Sequence, residues 1–214
     1  MITYRIDIDG TIAEPRFFDD DLRTCCDWYV NEGIVTSREV LSLQHHQQLF
    51  LLPDVLVTHV PLSGSVEALH DLVAGGKTLQ YFTVRQAIDP EVCDRVHGNT
   101  RAWLRDQHFP CPDQVRFFWD AGHKLTEALE AREEQIILID DRPDGLIQAY
   151  KNIAEKDPDI AQHIRQRVTV LAFGTFDIHA SASSLLRIVP FASWSSFWNL
   201  RSELEKEPIC GNAS

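Results

Sequence analysis

The stretch that decides the fold is Asp7-Ile8-Asp9-Gly10-Thr11, which follows the strand-like run Ile2-Thr3-Tyr4-Arg5-Ile6. β-branched and aromatic residues favour a strand, and Gly10 permits the sharp turn that ends it. Side chains two residues apart on a strand point the same way, so Asp7 and Asp9 would face one region. Two such carboxylates repel each other unless positive charge lies nearby. The stretch therefore predicts a reaction centre that holds a divalent cation; an acidic turn with an incidental Asp-Gly is the structural alternative.

Composition limits the classes of protein and partner. The chain has 214 residues, 44% hydrophobic and 24% charged, which fits a globular protein with one full core and room for a small accessory lobe. Its net charge of −12 argues against binding to duplex nucleic acid or to an anionic membrane, and leaves a small anionic substrate open. No run reaches the length of a membrane span, and we expect no N-terminal signal segment. The five cysteines are odd in number and lack zinc-site spacing, so we predict reduced thiols and a cytoplasmic protein.

Strand and helix patterns alternate along most of the chain. Strands are predicted at residues 2–6, 78–83, 115–119, 135–139, 168–173 and 185–189. Helices are predicted at 65–74, from 90 through 96 with a resumption at 100–107, and at 124–132, 144–155 and 193–204, the last capped by Ser193. This alternation predicts an α/β fold: a doubly wound, Rossmann-like parallel sheet of five to six strands with helices on both faces.

The predicted domains follow from an interruption after the first strand. Residues 14–60 carry two helical patterns and predict a small α-helical cap inserted after strand 1. The core domain would then comprise residues 1–13 and 61–207, and residues 208–214 would form a tail.

Polar residues stand where the predicted strands end. Because the carboxyl ends of parallel strands meet at one edge of a sheet, we expect these residues to meet there. They are Asp7, Asp9, Thr83, Lys124, Asp140 and Asp141. In this order and spacing the set resembles the haloacid dehalogenase-like hydrolase superfamily over roughly residues 2 to 145.

The resemblance implies a role for each residue. Asp7 would be the nucleophile that forms an aspartyl-phosphate, and Asp9 the general acid and base. Thr83 would bind phosphoryl oxygens and Lys124 would balance the carboxylates, although a strand-end hydroxyl often only caps backbone. The implied cofactor is Mg²⁺, held by Asp7, the main-chain carbonyl of Asp9 and Asp140. Asp141 would be a further ligand, direct or through water, or would only cap the following turn.

The second acid separates branches of the superfamily. A leaving halide needs no proton, so Asp9 indicates phosphoryl chemistry and a phosphomonoester hydrolase. The small cap and residues 139–143 and 189–194 resemble the 5'(3')-deoxyribonucleotidase branch, which implies a small-molecule substrate such as a (deoxy)nucleoside monophosphate.

Substrate contacts are the least constrained predictions. Phe17 or Phe18 would stack on a base, whereas Trp28 suits packing within the cap. Arg85 would touch the substrate or pair with a nearby acid. A sugar-phosphate or cofactor phosphatase, and a non-catalytic binding or regulatory protein of the same fold, remain the alternatives.

Overall fold

The computed structural model describes residues 2–14, 59–86, 90–130, 135–174 and 185–204. Six parallel strands form one sheet in the order β5-β4-β1-β6-β7-β8. These strands are β1 (Ile2–Ile6), β4 (Thr78–Thr83), β5 (Val115–Phe117), β6 (Gln135–Asp140), β7 (Val168–Phe173) and β8 (Arg187–Phe191). The predicted α/β fold with a parallel sheet is confirmed.

Helices cover both faces of this sheet. Those of the described ranges are α1 (Ser65–Ala74), α2 (Pro90–Asp106), α3 (Ala121–Glu130), α4 (Pro143–Lys156), α5 (Pro158–Arg167) and α6 (Phe197–Leu204), the last preceded by a 3₁₀ turn at Trp194–Ser196. None of them is long and apolar enough to cross a bilayer.

The strands divide their apolar side chains between two cores. In β6, Ile137 and Ile139 pack with α1, α2 and α6, whereas Ile136 and Leu138 pack with α3, α4 and α5. This alternation is the period of two expected of a strand buried on both faces.

Strand order places the candidate site. The chain runs outward from β1 through β4 to β5, and then returns to β6 on the other side of β1. The carboxyl ends of β1 and β6 therefore flank the point where the winding reverses, which is where open α/β sheets bind ligands.

A second, two-stranded ribbon lies just beyond the first turn. Strand β2 (Ala13–Glu14) pairs antiparallel with β3 (Val60–Pro61). The two ends of the predicted cap, residues 14–60, are thus adjacent in space. The interior of that segment and the tail at 208–214 lie outside the described residues, so the domain assignment remains a prediction.

Several predicted boundaries were wrong for local reasons. Helix α3 begins at Ala121 rather than at Lys124, because the Asp120 side chain accepts a hydrogen bond from the backbone N–H of His123 at 2.9 Å and caps it. Helix α5 was not predicted, although Asp157 caps it through the N–H of Ile160 at 3.0 Å and Pro158 begins it. Ser193 caps nothing with its side chain, since the chain enters α6 through a 3₁₀ turn.

Candidate active site

The nucleophile candidate sits on a rigid turn. Strand β1 ends at Ile6, and the N–H of Asp7 still donates to the carbonyl of Ile139 at 2.9 Å. Beyond it the N–H groups of Ile12 and Ala13 converge on the carbonyl of Ile8 at 3.0 and 2.9 Å. Gly10 has a φ of 70°, a backbone conformation that favours glycine. This turn fixes Asp7 and Asp9 relative to the sheet.

Three carboxylates converge at the reversal point. Because Ile6 pairs with Ile139, the next residues, Asp7 and Asp140, lie side by side at the ends of β1 and β6. Each of Asp7, Asp140 and Asp141 offers an oxygen within 4.8 Å of the other two. The N–H of Arg142 donates to Asp140 Oδ1 at 2.8 Å and fixes that side chain.

Lys124 joins two members of this acidic cluster. Its Nζ lies 2.7 Å from Asp7 Oδ1 and 2.7 Å from Asp140 Oδ2, and the side chain is 4% exposed. Burial lowers the pKa of Lys124, but attraction to Asp140 and Asp7 outweighs that effect and leaves the pKa above its ordinary value. The lysine is therefore a fixed positive charge between the two strand ends.

One lysine does not neutralise the acidic cluster. Burial, with repulsion from Asp140 and Asp141, holds the pKa of Asp7 well above its ordinary range despite Lys124. Burial and the charge of Asp140 likewise raise the pKa of Asp141 to about 7. Among contacts within the described ranges, the buried Asp141 Oδ1 has no hydrogen-bond partner. Buried hard oxygens with excess negative charge and a free acceptor fit Mg²⁺.

The carboxylate of Asp9 has different surroundings. Arg85 donates from Nε to Asp9 Oδ2 at 2.8 Å and from a terminal nitrogen to Asp9 Oδ1. The Nδ1 atom of His59 lies 3.9 Å from Asp9 Oδ1. Burial raises the pKa of Asp9, but the charge and hydrogen bonds of Arg85, with smaller contributions from His59 and Lys124, bring it below its ordinary value.

Thr83 offers an uncommitted hydroxyl. It ends β4, and its carbonyl accepts from the N–H of Phe118 at 2.9 Å. The side chain is fully buried, and Oγ1 has no hydrogen-bond partner in the described part of the chain. Within the described residues, the Thr83 hydroxyl therefore does not cap a backbone group.

The similarity of the chain to known proteins lies in its fold. No protein-family model matches the sequence, and no curated protein matches it. Solved structures do match nearly the whole chain, among them three with a TM-score of 0.50 each. The chain has the haloacid dehalogenase-like fold.

The three similar structures come from different bacteria. A HAD-superfamily hydrolase from Ehrlichia chaffeensis is 12% identical, over 95% of this chain and 97% of that one. A HAD family hydrolase from Deinococcus radiodurans, with bound phosphate and sodium, is 11% identical over 95% and 96%. The D,D-heptose 1,7-bisphosphate phosphatase from B. bronchiseptica, complexed with magnesium and phosphate, is 14% identical over 95% and 99%.

Four of the predicted site residues lie together at the ends of β1 and β6. Asp7, Lys124, Asp140 and Asp141 form one group, and Asp9 lies two residues away with Arg85. Arg85 binds the carboxylate of Asp9, and the role of the Asp9 main-chain carbonyl toward a metal stays a prediction. Phe17, Phe18 and Trp28 lie outside the described residues.

Sequence reasoning missed His59. Its side chain is 1% exposed, and its carbonyl accepts from Trp103 Nε1 at 3.1 Å. Burial lowers the pKa of His59 to about 4, although Asp9 opposes this shift. His59 lies at the end of the segment predicted to form the cap, and no local sequence pattern identifies it as a site residue. It comes close to Asp9 because β2 pairs with β3.

Proposed function

We propose that the protein is a Mg²⁺-dependent phosphomonoester hydrolase that acts through an aspartyl-phosphate on Asp7. The observation that carries this proposal is the buried cluster of Asp7, Asp140 and Asp141 around Lys124 at the carboxyl edge of β1 and β6. The phosphatases and hydrolases that share the fold support it, as does the magnesium and phosphate bound by the heptose bisphosphate phosphatase.

The chain's own residues supply the first chemical step. A carboxylate oxygen of Asp7 attacks the phosphorus atom, and the bond from phosphorus to the leaving oxygen breaks. Arg85 keeps the pKa of Asp9 low in the free protein, so Asp9 must take up a proton as the substrate binds. It then gives that proton to the leaving oxygen, and the product leaves as an alcohol. Lys124 and the Thr83 hydroxyl stabilise charge on the transferring group.

Hydrolysis of the intermediate completes the cycle. Asp9, now ionised, removes a proton from water as the water attacks phosphorus, and Asp7 leaves as a carboxylate. Asp7, Asp140 and Asp141, with the main-chain carbonyl of Asp9, would hold Mg²⁺. The ion would contribute Lewis-acid neutralisation of the phosphoryl oxygens.

The proposed substrate is a small phosphorylated metabolite. Nucleoside monophosphates come first, because the sequence resembles 5'(3')-deoxyribonucleotidases at residues 139–143 and 189–194. If Phe18 stacks on a base, Phe18→Ala raises KM for a nucleotide far more than for a small aryl phosphate. An equal effect on both substrates removes base stacking and favours a sugar or cofactor phosphate.

The proposed cellular compartment rests on the thiols. Cys93 and Cys111 form no disulfide with any residue that the structure describes. Free thiols fit a reducing environment, so we propose a cytoplasmic protein.

Phosphate release tests the proposed function. Ribo- and deoxyribonucleoside 5'- and 3'-monophosphates, sugar phosphates and 4-nitrophenyl phosphate are each incubated with Mg²⁺ or with EDTA. The proposal predicts release that requires the metal. A folded protein that binds Mg²⁺ and releases phosphate from none of these substrates is instead the non-catalytic alternative.

A further inference from the structure

The arginine that holds Asp9 has no part in the steps above. Arg85 is 2% exposed, and it binds Asp9 through Nε at 2.8 Å and through a terminal nitrogen of the same guanidinium. Two parallel N–H donors on one carboxylate fix its plane as well as its position. Such a contact restrains Asp9 far more than a single hydrogen bond.

The backbone that carries Arg85 is itself anchored from helix α2 and strand β5. His97 Nε2 donates to the carbonyl of Arg85 at 3.2 Å, and its ring stacks on Phe117 with centroids 3.6 Å apart. The neighbouring Gln86 donates to the carbonyl of Phe117 at 3.2 Å and accepts from the Cys93 thiol at 3.0 Å. A continuous series of contacts thus connects α2 and β5 to the Asp9 carboxylate.

We propose that Arg85 is a positioning residue, which holds the Asp9 carboxylate at the leaving-group oxygen, and that His97 holds Arg85 in place. This inference rests on the proposed function and adds to it. It replaces the sequence-based expectation of a direct contact between Arg85 and substrate, because two of the guanidinium donors already bind Asp9. A carboxylate held within a fraction of an ångström transfers protons efficiently, and small misplacements reduce rates by about 10²-fold.

Leaving-group dependence separates positioning from substrate binding. An alkyl phosphate needs a proton on its leaving oxygen, whereas 4-nitrophenolate leaves with little help. For Arg85→Gln we expect kcat/KM to fall by about 10²-fold on an alkyl phosphate such as glycerol 1-phosphate. On 4-nitrophenyl phosphate we expect less than about a 10-fold fall, with KM unchanged for both substrates.

The conservative variant supplies a rescue. Arg85→Lys keeps the charge without the two-pronged geometry, so its loss on the alkyl phosphate should fall between those of the wild type and Arg85→Gln. Equal losses on both substrates with a raised KM would mean that Arg85 binds the phosphoryl group, which overturns the proposal. Unchanged kinetics on both substrates would overturn it as well.

Two further variants guard against a general loss of structure. Arg116→Gln removes another arginine, a 59% exposed side chain on β5 that pairs with Glu127 at 3.6 Å, and should leave both rates unchanged. His97→Phe keeps a ring to stack on Phe117 and removes the donor to Arg85. For His97→Phe we expect a smaller loss of kcat/KM than for Arg85→Gln, and again a larger loss on the alkyl phosphate than on 4-nitrophenyl phosphate. This variant tests the proposal even if the Arg85 variants do not fold.

A measurement without substrate separates this inference from the proposed function. In ¹⁵N-arginine-labelled protein, the Nε–H resonance of Arg85, assigned by its absence in Arg85→Lys, should exchange slowly and shift in Asp9→Asn. A resonance that exchanges rapidly and ignores Asp9→Asn overturns the positioning role whatever the activity. If the resonance exchanges slowly and shifts in Asp9→Asn, but the wild-type protein releases no phosphate, the proposed function alone is overturned.

Discussion

Asp7 and Asp9 are two residues apart and have opposite electrostatic surroundings. Asp7 faces Asp140 and Asp141 with Lys124 between strands, and its pKa lies well above the ordinary range. Asp9 faces Arg85 and the buried His59, and its pKa lies below the ordinary range. The same side chain thus has two different settings at one strand end, because Asp7 meets the end of β6 whereas Asp9 meets the loop after β4 and the residue before β3.

The two sides of the site differ in how much negative charge is left for a cation. On the Asp7 side, acids outnumber the single lysine, so negative charge is left for a metal and a phosphoryl group to use. On the Asp9 side, an arginine already balances the carboxylate, so little negative charge is left there for a metal.

Removing the nucleophile should have the largest effect. Asp7→Asn should lower kcat by more than about 10³-fold, because an amide neither attacks phosphorus nor binds Mg²⁺ as an anion. Its Tm in EDTA should equal or exceed that of the wild type, since a buried charge repelled by Asp140 and Asp141 is lost. Retained turnover would assign the nucleophile elsewhere.

Removing the lysine should cost stability as well as activity. Lys124→Met leaves Asp7 and Asp140 facing each other without a positive charge between them, which should reduce the free energy of unfolding by about 3 kcal/mol. Urea denaturation at pH 7.5 in EDTA measures this loss. Arg116→Gln, the matched removal of an exposed cation, should change it by less than about 0.5 kcal/mol.

Metal stabilisation should grow with pH. In the metal-free protein Asp141 has a pKa of about 7 against an ordinary 3.8, so the folded state binds the extra proton and loses stability as pH rises from about 4 to 7. Mg²⁺ needs that carboxylate ionised, so the rise in Tm on adding Mg²⁺ should be larger at pH 8 than at pH 5.5. A Tm rise that does not depend on pH would contradict the acidic cluster as the metal site.

The Asp9 side should respond to acid through His59. The pKa of His59 is about 4 in the folded protein, below the ordinary 6.5. Between pH 6.5 and pH 4 the unfolded chain therefore binds a proton at His59 that the folded protein does not bind. The free energy of unfolding should fall as the pH drops through this range. His59→Phe should flatten that part of the stability profile by about 1 kcal/mol or more. Urea midpoints at pH 7 and pH 4.5 measure the difference; an unchanged slope would mean that His59 titrates normally.

Much of the fold and the acidic cluster could be predicted because both depend on local patterns. Apolar runs such as Ile136 to Ile139 mark a strand buried on both faces, and the residue that follows a strand lies at the sheet edge whatever the strand order. Asp7 and Asp140 could therefore be brought together from sequence.

The Asp9 surroundings could not be predicted in the same way. The Arg85–Asp9 pair and the approach of His59 depend on how a loop after β4 and the β2–β3 ribbon pack beside the first turn. The sequence allows two roles for Arg85, a contact with substrate or an ion pair with a nearby acid, because either role suits an arginine two residues past a strand.

One measurement tests the division between the two acids most directly. Mg²⁺-loaded protein is mixed with substrate, quenched in acid and reduced with borohydride, which converts a phosphorylated aspartate to homoserine, and the peptide carrying Asp7 and Asp9 is sequenced by mass spectrometry. We expect homoserine at position 7 and aspartate at position 9. Homoserine at position 9, or unmodified aspartate at both while phosphate is released, would contradict it.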